Sequence, residues 1–200
     1  MSGNVHPSIQ RILDSPRIAQ RTREWFEYRR SRVTASEVST VLAEGRGATS
    51  LMVAKKASAM LGGVCTEYTR IGSENEEEVV RMYNKLYPHV KVYHDLPVVP
   101  HQHFDFVAAS LDACTNTGIN VEIKTIFKNS QVRVCKAHRD QVQLQMEVAD
   151  LETTHLVHHY YRMQGTPIVV HTIQRDRGWF ERSLPIIEAF VARLESYFPF

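Results

Sequence analysis

The chain has 200 residues, 43% of them hydrophobic and 23% charged, with a formal net charge of +2. That is enough apolar chain for one sizeable core, and the near balance of charge neither demands nor excludes nucleic acid. Cys65, Cys114 and Cys135 form no Cys-x-x-Cys pair, so neither a zinc site nor an iron–sulfur cluster is suggested. No stretch has signal-peptide character or the roughly 18 apolar residues of a membrane span. The sequence reads as an intracellular protein with no membrane role.

Residues 1–18 contain Pro7 and Pro16 and few clustered apolar positions, and they read as a loosely ordered lead-in with a short helix around Ile9 to Leu13. Residues 19–200 read as a single domain. Arg11, Arg17, Arg21, Arg23, Arg29, Arg30 and Arg32 stand against only Asp14, Glu24 and Glu27, so the N-terminal region is basic. It is either a solvated face or a phosphate-binding one. Thr34 and Glu37 have capping-box spacing ahead of Val38, Val41 and Leu42, which predicts a helix start. A helix N-terminus with Arg29 and Ser36 beside it also suits an anion.

Leu51 to Leu61 reads as a helix closed by Gly62-Gly63. Val79, Val80, Tyr83, Leu86 and Tyr87 repeat at helical spacing and predict an amphipathic helix ending before Pro88. Glu76, three and four residues before Val79 and Val80, is placed to point toward the buried face. Ser73-x-x-Glu76 equally fits a capping box in which Glu76 bonds backbone only.

Val90 to Tyr93 and Leu96 to Val99 read as strands, and then comes the stretch with the most chemistry. Phe106 to Asp112 and Val121 to Lys124, joined through Thr115-Asn116-Thr117-Gly118, read as a hairpin or tight strand pair. Period two puts Val121 and Ile123 on one face, and Glu122 and Lys124 together on the other. With Asp112 alongside, two carboxylates and an ammonium would meet, as metal-dependent phosphodiester hydrolysis requires. An ordinary exposed strand face with a cross-strand Asp–Lys pair fits the same residues.

Arg139 to Ala149 reads as a helix whose Gln141 and Gln145, four apart, resemble a solvated edge. His155 to Tyr161 and Pro167 to Ile173 are strand-like, and Leu184 to Tyr197 is an amphipathic terminal helix. His101, His103, His158 and His159 alternate or adjoin in strands, which points them away from a shared metal. The pattern predicts an α/β (α+β) architecture, a central mixed sheet flanked by helices.

The ordered set Arg29…Thr34-Ala35-Ser36-Glu37, Gly72-x-x-x-Glu76, Ser110-x-Asp112, Glu122-x-Lys124 and Gln141-Val142-Gln143 resembles the phage lambda exonuclease and YqaJ-type viral recombinase family, a branch of the PD-(D/E)XK nucleases. The resemblance spans roughly residues 20 to 175 and implies a restriction-endonuclease-like core. It implies Asp112, Glu122 and Glu76 as ligands of one or two Mg²⁺ ions, with Mn²⁺ able to substitute. Lys124 becomes the catalytic lysine, Gln141 a glutamine beside the active site, and Arg29, Ser36 and Thr34 the grip on a 5′-phosphate. Leu111 stands where the family often has Pro, Thr125-Ile126-Phe127-Lys128 differs from the phage pattern, and Gln145 stands where RecB-type relatives carry Tyr.

The function so implied is a Mg²⁺-dependent 5′→3′ exonuclease that enters duplex DNA at a 5′-phosphorylated end and leaves 3′ single-stranded tails for recombination. A structure-selective or repair endonuclease and a non-catalytic DNA-binding module are the rival readings. A single-strand annealing protein as partner and a homo-oligomer, such as the phage enzyme's ring of three subunits, fall within what the resemblance allows. The setting would be the cytoplasm for a phage or bacterial chain, and the host-cell interior for a eukaryotic virus.

Overall fold

The computed structural model describes residues 4–18, 22–43, 50, 52–53, 56, 67–127, 133–162 and 168–197. Most of the helix expected over Leu51 to Leu61, with the Gly45 and Gly62-Gly63 breaks around it, lies outside the described residues.

The chain opens with α1 (Pro7–Leu13), α2 (Arg23–Arg30), the short strand β1 (Val33–Thr34) and α3 (Val38–Leu42). The long helix α4 (Glu67–Leu86) follows, then strands β2 (Val92–His94), β3 (Val99–Pro100), β4 (Val107–Ala109), β5 (Ala113–Thr115) and β6 (Ile119–Ile126). Helix α5 (Lys136–Ala149), β7 (Thr153–Tyr160), β8 (Ile168–Gln174) and α6 (Trp179–Tyr197) complete it.

Five strands form a mixed sheet in the order β2-β5-β6-β7-β8, with β6 and β7 parallel and the other pairs antiparallel. A parallel pair needs a crossover, and α5 supplies it. A smaller sheet, β1-β4-β3, stands beside the first. The chain switches between the two at Ser110-Leu111-Asp112, so the first arm of the expected hairpin is divided. Its first half, β4, pairs with β1 and β3, whereas the hairpin partner of β6 is β5, with Cys114 opposite Asn120. The turn between them uses Gly118 at φ 89°, a conformation that favours glycine. A Cβ at that position would also sit 2.8 Å from the His6 ring.

Residues 7–13, expected within a loosely ordered lead-in, are packed against the domain: Ile9 and Ile12 are fully buried. His6 N–H donates to Asn116 O (2.8 Å), and the Arg11 guanidinium donates to Val148 O (3.1 Å). The two isoleucines, three apart, supply the helical face that the core takes up.

Two apolar layers lie on either side of the five-stranded sheet. Val79, Val80 and Tyr83 of α4 pack against Val121, Ile123, Val157 and Ile168. Helices α1, α3, α5 and α6 share the larger core, which includes Leu144, Met146, Val148, Ile187 and Leu194. Helix α4 runs unbroken through Gly72 and Ser73. The helix start expected at Ser73 is therefore not there, because α4 begins at Glu67, and Glu76 sits in a helix interior where no orphan N–H groups need a cap.

Candidate active site

Strand alternation on β6 divides its side chains as the sequence predicts. Val121 and Ile123 face α4, while Glu122 and Lys124 lie on the side of α5. Lys124 Nζ donates to Glu122 Oε1 at 2.5 Å, and Gln141 Nε2 donates to the same oxygen at 2.6 Å. Gln145 Nε2 reaches the other oxygen, Oε2, at 2.5 Å and also bonds Ser110 O at 3.0 Å. The paired glutamines are thus no solvated edge: four residues apart on α5, they grip one carboxylate from the same helix face. Asn120 extends the chain inward, its amide donating to Gln145 Oε1 (3.0 Å) and Thr154 Oγ1 (3.1 Å).

Asp112 lies where the chain passes from one sheet to the other, and its Oδ2 accepts from Ile123 N–H (2.8 Å). Burial pushes its pKa well above the ordinary carboxylate range, and the charges of Glu122 and Glu76 add to the push while Lys124 opposes it. The Lys124 ammonium is held above its ordinary value because Glu122 and Asp112 outweigh its own burial. Glu76 enters from α4 and is felt at Asp112 through its charge.

Among the described residues no three His, Cys, Asp or Glu side chains close on one point as a metal cage. The donor set nevertheless fits a hard divalent cation. Three carboxylates, Asp112, Glu122 and Glu76, share a region with the Lys124 ammonium, and Asp112, its pKa raised first by burial, also feels the negative charge of the other two. Oxygen ligands and excess negative charge are what Mg²⁺ or Mn²⁺ bind.

A second cluster forms where α2, β1 and α3 meet. Arg29 Nη2 donates to Thr34 Oγ1 (2.8 Å) and Ser36 Oγ (3.0 Å), and its guanidinium carbon lies 4.3 Å from the centroid of the Trp25 ring. The expected capping box is rearranged. Helix α3 starts only at Val38, and Glu37 turns back so that its Oε2 accepts from both Thr34 N (3.2 Å) and Thr34 Oγ1 (2.7 Å). Glu37 is also paired with Lys56 (2.9 Å) in a buried contact.

A cavity of about 540 Å³ is lined by members of both clusters. Ser36, Ser39, Thr40 and Ala43 line it from the α3 side, and Lys124, Ala137, His138 and Gln141 from the β6 and α5 side. His138, Ser39, Thr40 and Lys56 escaped the sequence reading. Ser39 and Thr40 could have been found three and four residues after Ser36, and His138 three before Gln141, since those spacings share a helical face. Burial and the nearby Lys124 lower the pKa of His138, which favours the neutral imidazole. Of the histidines considered for metal, His101 accepts from the N–H groups of His103 (3.0 Å) and Phe104 (3.2 Å) and stacks on Phe180.

The model of the YqaJ-like viral recombinase domain matches residues 24–154, a span that contains every residue named in the two clusters. The chain belongs to the YqaJ-like viral recombinase domain family. No curated protein matches it at a significant level. Among solved structures, LHK-Exo in complex with dAMP superposes with a TM-score of 0.75 at 21% identity, covering 88% of this chain and 94% of that one. Another structure of the same protein, described as an alkaline exonuclease from Laribacter hongkongensis, gives a TM-score of 0.72 at 21% identity over 88% and 94% of the two chains. A phage-related exonuclease from Haemophilus somnus 129PT gives 0.59 at 14% identity, over 83% of this chain and 92% of that one. These likenesses place the YqaJ-like domain in the same fold as those proteins.

Proposed function

We propose that this YqaJ-like domain is a divalent-metal-dependent exonuclease that enters linear duplex DNA at a 5′-phosphorylated end and removes nucleotides from that strand. The observation that carries the reading is the cavity shared by Ser36 and Lys124. An enzyme working inward from an end must hold the terminal phosphate and the scissile phosphate at once, and this cavity has Ser36 of the phosphate-suited corner on one wall and Lys124 and Gln141 of the carboxylate–lysine cluster on the other. The exonuclease descriptions of LHK-Exo and of the Haemophilus somnus protein support it, as does the nucleotide bound in the former.

Asp112, Glu122 and Glu76 would hold Mg²⁺ or Mn²⁺, which when bound neutralises phosphate charge and lowers the pKa of a coordinated water. Lys124 presents a fixed ammonium for the charge that develops on phosphate oxygens. Gln141 and Gln145 keep Glu122 in one rotamer by donating to both of its oxygens. Arg29 supplies a permanently charged fork for the terminal phosphate, with Ser36 exposed beside it. Product with a 3′ single-stranded tail would suit a strand-annealing partner in recombination.

Digestion of linear duplexes labelled at either end, with 5′-phosphate or 5′-hydroxyl termini and in Mg²⁺ or EDTA, tests this. Mononucleotide release from 5′-phosphorylated ends in Mg²⁺ alone is expected. Cleavage of closed circular duplex at the same rate would replace the exonuclease reading with an endonuclease one.

A further inference from the structure

Glu37 is 8% exposed and Lys56 4%, and the two are paired at 2.9 Å. A buried ion pair of this kind adds little net stability and is destabilising when half of it is removed. Its geometry gives it a more specific role. Lys56 Nζ donates to Glu37 Oε2, to Arg29 O (2.9 Å) and to Arg32 O (2.7 Å), so it ties the carboxylate to the C-terminal end of α2, the helix that carries Arg29.

The polarity of the hydrogen bonds follows from which groups own protons. Glu37 is held ionised: burial works against its charge, but Lys56, Arg29 and the hydrogen bonds of Lys56 and Thr34 outweigh that and lower its pKa. An ionised carboxylate only accepts. The one hydroxyl proton of Thr34 must therefore point to Glu37 Oε2, which leaves the lone pairs of Thr34 Oγ1 to accept from Arg29 Nη2. Ser36 Oγ accepts from the same Arg29 nitrogen and can itself only donate across its 3.4 Å contact with Thr34 Oγ1, a long bond whose proton a ligand in the cavity lined by Ser36 can take over. Among the described residues the guanidinium of Arg29 and the ammonium of Lys56 both face Glu37, and Arg29 directs its fork to the side of Ser36, which suits an anionic ligand.

We propose that Glu37 is a positioning residue for a terminal phosphate: by fixing the proton of Thr34 it aims the guanidinium of Arg29 and leaves Ser36 as a donor. The inference rests on the reading of this corner as a 5′-phosphate pocket. Glu37→Gln keeps the shape but introduces an amide that can donate to Thr34 and reverse the order of the bonds. Thr34→Val removes the hydroxyl, and Thr34→Ser restores it.

The measurement is the ratio of kcat/KM for 5′-phosphorylated over 5′-hydroxyl duplex ends, together with anisotropy of a 5′-phosphorylated oligonucleotide bound in EDTA. Glu37→Gln and Thr34→Val should each lower the ratio about tenfold or more, the size expected for one charge-assisted bond. The loss should lie in KM and in binding rather than kcat, and Thr34→Ser should retain the ratio. The double variant should lose no more than either single one, because the two groups act through one relay. A wild-type ratio of one would sink the phosphate reading itself. A high wild-type ratio that Thr34→Val leaves intact would overturn the relay alone, even if Glu37→Gln failed to fold. Equal losses on both kinds of end would make Glu37 a structural anchor and overturn it as well.

Discussion

Gln145 Nε2 lies 2.5 Å from Glu122 Oε2, and both side chains are buried, so an amide from α5 sets the rotamer of a β6 carboxylate inside the protein. Gln145→Leu would preserve much of the volume and remove the donors. Glu122, Ser110 O and Asn120 would each lose a partner, and a buried group left unsatisfied costs about 1–3 kcal/mol. Thermal melts should show a loss of at least that size, with cleavage reduced at least about tenfold as Glu122 leaves its place. Unchanged cleavage would mean that Gln141 and Lys124 suffice to hold the carboxylate.

Asp112→Asn should act in opposite directions on stability and on function. The raised pKa of Asp112 means that its ionised form is disfavoured by burial and by Glu122 and Glu76. The neutral amide can still accept from Ile123 N–H. Replacing a carboxylate whose charge is disfavoured in place by a neutral amide should therefore raise the melting temperature of the metal-free variant. Calorimetry should show Mn²⁺ binding weakened and cleavage lost. Tight Mn²⁺ binding by the variant would remove Asp112 from the ligand set.

The period-two reading of β6 placed Glu122 and Lys124 correctly because alternation is local and the two residues are adjacent on one strand. Three other features were not legible for physical reasons. The switch between sheets at Ser110 to Asp112 depends on which strands β1 and β3 pair with, which is non-local information. Ser73-x-x-Glu76 satisfied the capping-box pattern, yet tertiary packing carries α4 through Gly72 and Ser73, and the pattern alone carries no knowledge of that packing. Gln145 looked like a polar edge residue because helical spacing pairs it with Gln141 without saying that the shared face meets a buried carboxylate. Lys56 gave no local signal at all, since its partners Arg29, Arg32 and Glu37 are 19 to 27 positions away.

Stability should fall on the acid side of neutrality. His101, His155 and His159 are buried, and burial lowers the pKa of each below the ordinary histidine value. The unfolded chain takes up protons as pH drops through about 6.5 while the folded chain does not. The stability these groups contribute is thus fully present above about pH 6.5 and is lost as pH falls through their lowered folded values. The loss should be visible as a falling urea midpoint between about pH 7 and pH 5. Asp112 titrates in the opposite sense, so urea titrations in the Asp112→Asn background isolate the histidines. A flat profile there would show that these rings protonate without unfolding.

Arg29→Lys separates the charge of the phosphate corner from its geometry. The guanidinium meets Thr34 Oγ1 and Ser36 Oγ from one nitrogen and lies against the Trp25 ring, with burial lowering its pKa only in part because Glu37 pulls the other way. A lysine would keep the positive charge but lose the planar fork and the stacking that fix its direction. If attraction alone bound the terminal phosphate, the preference for 5′-phosphorylated ends would survive the substitution and weaken steeply with salt. A directed, bidentate contact gives a different expectation: the preference should fall by about ten- to a hundredfold, the worth of one or more charge-assisted bonds at roughly 1.5–3 kcal/mol each. The loss should appear in KM for phosphorylated ends, with Mn²⁺ binding by calorimetry unchanged because Arg29 is no part of the carboxylate cluster. Retention of the full preference by Arg29→Lys would show that the corner works as a point charge and that the fork is dispensable.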